Sequence, residues 1–282
     1  MKRLVSVATV LGLGVTTPAL AQIAVPNEAG VAMGHLHYRV RDVEANARFW
    51  MRLGGERTSS GESVVIRFPG VLVFLDTGET TGGTEGSTLN HMAFRVQSLD
   101  TIAEAGFDVD RTRSSGITNV FTPEGERIEL FDDTATNLGF TLDDGGINPV
   151  TQRHNRPLAV PIMSHHLHLY LIEDAVEEAQ RWYTEMFGGV PGMRWRYDAV
   201  DLPGINFNFS HNPDAGGAPT QGRMLDHIGF EVENLEEYCQ TLEGRGVDFD
   251  VAYHRGVDDV GRALLTDPWG VSIELTEGLR GL

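Results

Sequence analysis

The chain carries one pattern twice: Gly34-His35-Leu36-His37 followed by Asn90-His91 and Ile128-Glu129, then His165-His166-Leu167-His168 followed by Asp226-His227 and Ile273-Glu274. The match extends around these markers. Leu89-Asn90-His91-Met92-Ala93-Phe94 aligns with Leu225-Asp226-His227-Ile228-Gly229-Phe230, and Thr122-Pro123-Glu124-Gly125 aligns with Asp267-Pro268-Trp269-Gly270 ahead of each glutamate. A repeat unit this long is a domain, not a solenoid blade. The offset between copies grows from 131 residues at the first histidine to 145 at the glutamate, so the copies differ in length between markers.

Around His35 and His166 apolar and polar residues alternate, the period of a strand. Leu167, Leu169 and Leu171 fall on one face, and His166, His168 and Tyr170 on the other. After each strand an amphipathic helix is expected: Asp42 is placed to cap one reaching Leu53, and Asp174 precedes another from Ala175 to Phe187, stopped by Gly188-Gly189. Such helices cover the leucine face and leave the histidine face open. Short apolar segments then flank a Pro69-Gly70 turn, matched by Pro203-Gly204 in the second copy. Further units begin at His91, with a short helix near Leu99 to Ala105, and at His227, where Asn234 and Glu237 point to a capping box. The expected organisation is four units in two consecutive pairs, 32–133 and 162–280. A linker, 134–161, containing Gly145-Gly146, Pro149 and Pro157 joins them.

Lys2 and Arg3, the apolar run Leu4 to Val15, and Ala19-Leu20-Ala21 form a signal peptide over residues 1–21, with cleavage after Ala21. A periplasmic or secreted protein is expected, because the apolar run is shorter than the roughly 20 residues a membrane span needs. Without Lys2 and Arg3 the chain has 20 basic and 40 acidic residues, a formal charge of −20. That balance argues against nucleic acid and anionic membranes as partners. A small molecule is the expected partner, with an oligomer left open. The single cysteine, Cys239, cannot form an internal disulfide and reads as core.

On His35, Asp42, Phe49-Trp50, His91 and Pro123 to Glu129, and again on His166, Trp182-Tyr183, His227 and Asp267 to Glu274, the chain resembles the vicinal oxygen chelate superfamily. That superfamily includes glyoxalase I, extradiol dioxygenases and bleomycin-resistance proteins. The resemblance implies an α+β fold of four βαβββ modules, paired into two domains, each a U-shaped mixed sheet with helices on the convex face. It places metal ligands on the concave side. Glyoxalase-like members add a glutamate on the last strand of the odd-numbered modules, whereas Val71 to Leu75 and Ile205 to Phe209 hold no carboxylate. Ring-cleaving dioxygenases have a tyrosine where Leu264 stands, and their upstream histidine lies closer than His254.

Two histidines and a carboxylate leave coordination positions open for substrate, water or dioxygen. The expected metal ligands are therefore His166, His227 and Glu274 in the second domain and His35, His91 and Glu129 in the first. His166 and His168 face the same way, and either can be the first ligand. His168, His254 and Arg262 are second-sphere candidates, and Asn206, Asn208 and Tyr253 are candidate substrate contacts. The expected function is metal-dependent and dioxygenase-like, with Fe(II) or Mn(II). The alternatives are a glyoxalase-like lyase or isomerase with Zn(II) or Ni(II), and a non-catalytic binder of a small ligand.

Overall fold

The computed structural model describes residues 23–112, 114–135 and 138–282. The expected signal peptide lies outside the described residues.

The first module runs β1 (Val31–Val40), α1 (Val43–Arg52), β2 (Glu56–Ser60), β3 (Ser63–Phe68) and β4 (Val71–Thr77). The second is β5 (Leu89–Val96), α2 (Leu99–Glu104), β6 (Ile117–Phe121) and β7 (Arg127–Asp132), with two strands after its helix instead of three among the described residues. After α3 (Pro149–His154) the third module comprises β8 (Ile162–Leu171), α4 (Val176–Phe187), β9 (Val190–Arg194), β10 (Tyr197–Leu202) and β11 (Ile205–His211). The fourth is β12 (Leu225–Val232), α5 (Leu235–Gly244), β13 (Phe249–Arg255), β14 (Gly261–Thr266) and β15 (Ser272–Glu277).

These strands form two mixed sheets, ordered β13-β14-β15-β12-β1-β4-β3-β2 and β6-β7-β5-β8-β11-β10-β9. The pairing of modules therefore differs from the expectation. The first module shares a sheet with the fourth and the second with the third, through antiparallel β1–β12 and β5–β8 pairs. Residues 32–133 and 162–280 are not separate sheets, and each half completes the other's. Apolar packing, by contrast, does join consecutive modules. Trp50 on α1 meets Phe94 on β5 with ring centroids 6.0 Å apart, and Phe187 on α4 meets Phe230 on β12 at 4.6 Å. Hydrogen bonding and core packing thus link different pairs of modules. The sheets also touch directly, where the Met33 N–H donates to the Pro203 carbonyl at 2.8 Å.

The leucine and histidine faces separate as the alternation predicts, with Leu167, Leu169 and Leu171 in the core. Asp42 caps α1 by accepting from the Ala45 N–H at 2.8 Å. Two other caps differ from the sequence reading. The N-cap of α4 is Ala175, which places Asp174 one residue too early. Asn234 takes a left-handed backbone conformation at φ 55°, and its side chain makes no capping bond. The expected linker contains α3, started by a capping box between Asn148 and Thr151. Among the described residues no helix is long and apolar enough to cross a membrane.

Candidate metal centres

Side chains converge at two places, one on each sheet, and each set draws on both halves of the chain. On the larger sheet His35 and His37 project from β1, His227 from β12 and Glu274 from β15. The antiparallel register sets His37 opposite His227 and His35 opposite Gly229, while the parallel β12–β15 register sets Gly229 beside Glu274. Glu274 Oε2 lies 3.1 Å from His35 Nε2 and 3.8 Å from His227 Nε2. Ligand atoms of His35, His37 and His227 fall within 4.8 Å of one another. A cavity of about 140 Å³ opens on them, with Ser60, Ser63, Phe74, Asp258 and Arg262 among its walls.

Surrounding carboxylates orient these donors. Asp226 Oδ1 is 2.8 Å from His227 Nδ1, which places the proton on Nδ1 and aims the Nε2 lone pair into the cluster. His227 Nε2 and His35 Nδ1 are buried without a hydrogen-bond partner. Burial lowers the His35 pKa to about 4, so the ring is neutral at physiological pH. For His227 burial acts in the same direction, but the hydrogen bond to Asp226 and the nearby charge of Glu274 outweigh it and raise the pKa. Burial also opposes ionisation of Glu274, yet its two histidine contacts hold the carboxyl well below the usual range. A neutral His35 and an ionised Glu274 are donor states a divalent cation requires, and at His227 the cation competes with a proton.

Gly229 makes room for this arrangement. A Cβ at that position would lie 2.0 Å from His35 Cε1, so no side chain fits while the ring stays in place. Strand β4 continues past the apolar segment read from sequence to Asp76, whose Oδ2 lies 2.8 Å from His37 Nε2. A carboxylate therefore does stand on the last strand of this module, one position beyond the segment first considered.

On the smaller sheet His91 comes from β5, His166 and His168 from β8, and Glu129 from β7. Glu129 Oε2 is 3.3 Å from His91 Nε2 and 3.6 Å from His166 Nε2, and the three histidines fall within 4.8 Å of one another. Burial drives the pKa of all three down. The cavity here is about 180 Å³, lined also by Arg127, Tyr170, Trp195, Tyr197 and Asn208.

The six expected ligands are all at these centres, but partnered differently. His166 does not meet His227 and Glu274, and His35 does not meet His91 and Glu129. The two histidines exchange places because β1 pairs with β12 and β8 with β5. His166 and His168 both belong to one cluster, with His168 Nε2 also 2.7 Å from Ser210 Oγ. Arg262 lines the larger-sheet cavity, its Nε 3.9 Å from Glu274 Oε1, and Asn208 lines the smaller-sheet cavity. Asn206 is fully buried behind that wall, accepting from Arg194 Nε at 2.9 Å, and does not line it. His254 is exposed on β13, and Tyr253 packs against the core, so neither lines a centre. Sequence reading missed Asp226, Asp76 and Arg127. The first had a visible signal, since Asp226-His227 and Asn90-His91 occupy the same place in the repeat.

Residues 163–275 match the model of the Glyoxalase/Bleomycin resistance protein/Dioxygenase superfamily. Two solved structures share the fold over nearly the whole chain. Glyoxalase I from Zea mays is 14% identical, with a TM-score of 0.62, over 89% of this chain and 94% of that one. A putative dioxygenase from Bacillus subtilis is 12% identical, with a TM-score of 0.59, over 91% and 86%. At such identities the likeness is one of fold. No curated protein sequence matches the chain. The family match thus covers residues 163–275, and the fold of the whole chain is the one these structures share.

Proposed function

We propose that the protein is a metal-dependent enzyme acting on a small, oxygen-bearing molecule, with its divalent ion held by His35, His227 and Glu274. The observation that carries this reading is the buried, unpartnered Nε2 of His227, aimed into the cluster by Asp226 on the opposite ring nitrogen. A buried polar atom without a partner costs on the order of 1–3 kcal/mol, and a bound cation removes that cost. When bound, the ion supplies Lewis acidity toward a substrate oxygen.

The chain's own residues do the rest. Asp226 holds the His227 tautomer, and Gly229 keeps the His35 ring against Glu274. Asp258 fixes Arg262 at 2.7 Å, so the guanidinium stands beside the carboxylate where a second substrate oxygen can meet it. Three protein donors leave room for dioxygen as well as substrate, which supports an oxygenase with Fe(II) or Mn(II). Asp76, reaching His37 from the last strand of its module, supports the lyase or isomerase alternative with Zn(II) or Ni(II).

Metal analysis of protein purified without a histidine tag and reconstituted with Fe(II), Mn(II) and Zn(II) tests the reading. Stoichiometric metal in wild type and its loss in His227→Ala support it. Absence of bound metal after all three reconstitutions overturns it. Oxygen uptake on substrate addition then separates oxygenase from isomerase. Export remains part of this proposal, and an N-terminus beginning at Gln22 in the mature protein would support it.

A further inference from the structure

The two centres repeat one pattern, so strand register gives each residue of one a counterpart in the other. Asp226 corresponds to Asn90, Ser272 to Arg127, Asp76 to Ser210, Phe74 to Asn208 and Gly229 to Ala93. The β2–β3 turn Ser60-Gly61-Glu62-Ser63 corresponds to Arg194-Trp195-Arg196-Tyr197 between β9 and β10. Carboxylates thus give way to neutral or cationic groups, and small residues to aromatic ones.

These changes alter the charge and the proton positions around the histidines. Arg127 Nη2 lies 2.8 Å from His91 Nδ1 and also donates to Asn90 Oδ1. His91 Nδ1 also lies 2.9 Å from Asn90 Oδ1, so a guanidinium donor and an amide acceptor compete for it, and a fixed positive charge stands against the ring. At His166 a relay places the proton. Arg194 Nη1 donates to His165 Nε2 at 2.8 Å, which leaves the His165 proton on Nδ1, 2.8 Å from His166 Nδ1. His166 therefore carries its proton on Nε2. The His166 N–H points toward Glu129 and offers no lone pair to a cation, and Arg127 sets its charge against His91.

We propose that this smaller-sheet centre is a metal-free pocket for a flat organic anion, and that the larger-sheet centre alone holds the ion. The metal half rests on the function proposed above, and the ligand half does not. Arg127 and Asn208 line the cavity, and their Nε and Oδ1 are buried without partners, one cationic donor and one acceptor. Tyr170, Trp195 and Tyr197 supply flat apolar walls around them. Trp195 holds φ at 54°, where its counterpart Gly61 has 58°. That left-handed conformation suits glycine and is strained for any larger side chain. Strain retained at a cavity mouth in one copy only fits a ligand contact. Arg196 stacks on the exposed indole at 4.3 Å and helps hold it there.

Metal counting after equilibrium dialysis with Mn(II) and Zn(II), joined to calorimetry with 4-hydroxybenzoate, benzoate and benzyl alcohol, tests both halves. One ion per wild-type chain is expected, rising to two in Asn90→Asp/Arg127→Ser, which installs the larger-sheet residues. The 4-hydroxybenzoate should bind saturably and the uncharged alcohol at least tenfold more weakly. Trp195→Gly, which relieves backbone strain, should lose at least tenfold in binding. Arg127→Lys should bind better than Arg127→Gln, and His227→Ala should lose the ion while keeping the ligand. Two ions per wild-type chain, one lost in His91→Ala and the other in His227→Ala, would overturn the metal half. Equal binding of the alcohol, undiminished binding by Trp195→Gly, or no saturable binding of any probe would overturn the ligand half. No metal in any variant would sink the function proposed above without touching the ligand result.

Discussion

His35, on the first strand, lies with its Nε2 3.1 Å from Oε2 of Glu274, on the last. A contact between the two ends of the fold means that neither half of the repeat can build this centre alone. The duplicated pattern supplies two sets of donors, and the crossed pairing of modules distributes each set over both halves.

Gly229 can be tested without touching a donor. Gly229→Ala places a methyl group where the His35 ring now lies, so the ring must move away from Glu274. We expect loss of metal binding comparable to His35→Ala with only a small change in fold, measured as metal content beside circular dichroism. Unchanged metal content would show that the ring is not held where the geometry places it.

Asp226 acts through His227. Asp226→Asn keeps the shape but weakens the acceptor at Nδ1, and outer-sphere carboxylates of this kind are worth about 10–100-fold in metal affinity. A competition titration with a chelating dye should show a drop of that order. The matching change in the other centre, Asn90→Asp alone, should give little gain while Arg127 remains.

Asp267 predicts a pH dependence away from either centre. Burial raises its pKa from 3.8 to about 6, although the Val271 N–H and the Tyr183 hydroxyl, 2.8 Å away, oppose the shift. A carboxyl with a raised folded pKa stabilises most when protonated, so its contribution is full below pH 3.8 and is lost as pH rises through 6. Relative to Asp267→Asn, wild type should lose roughly 2 kcal/mol between pH 4 and pH 7. Urea melts at unit steps of pH check this, and a constant difference between the two proteins would contradict it.

Trp50 tests the packing that joins consecutive modules. It is fully buried against Phe94 on the other sheet, so Trp50→Ala should destabilise the chain by about 3–5 kcal/mol. Loss should occur in a single cooperative transition, because the core it leaves is shared. Two separate transitions in a thermal melt would argue for independently folding halves.

Much of this was legible in the sequence, for stated physical reasons. Alternation along His166 to Leu171 separates a leucine face from a histidine face, and Asp42 marks the start of α1. The crossed pairing was not legible, since the pattern is the same in both halves and nothing local distinguishes His35 from His166 as the neighbour of His227. That choice depends on long-range strand pairing. Arg127 was passed over because it lies two residues before Glu129 in an ordinary polar alternation, and only the β5–β7 register brings it to His91. Tyr253 and His254 were read as reaching the site from the last module, whereas β13 lies at the sheet's edge and neither residue lines a centre.

Metal content of His35→Ala measured beside His166→Ala is the most direct test of the crossed centre. Loss of the ion in His35→Ala as complete as in His227→Ala, with His166→Ala retaining it, is the predicted result. Joint loss in His166→Ala and His227→Ala, with the ion retained by His35→Ala, would contradict it.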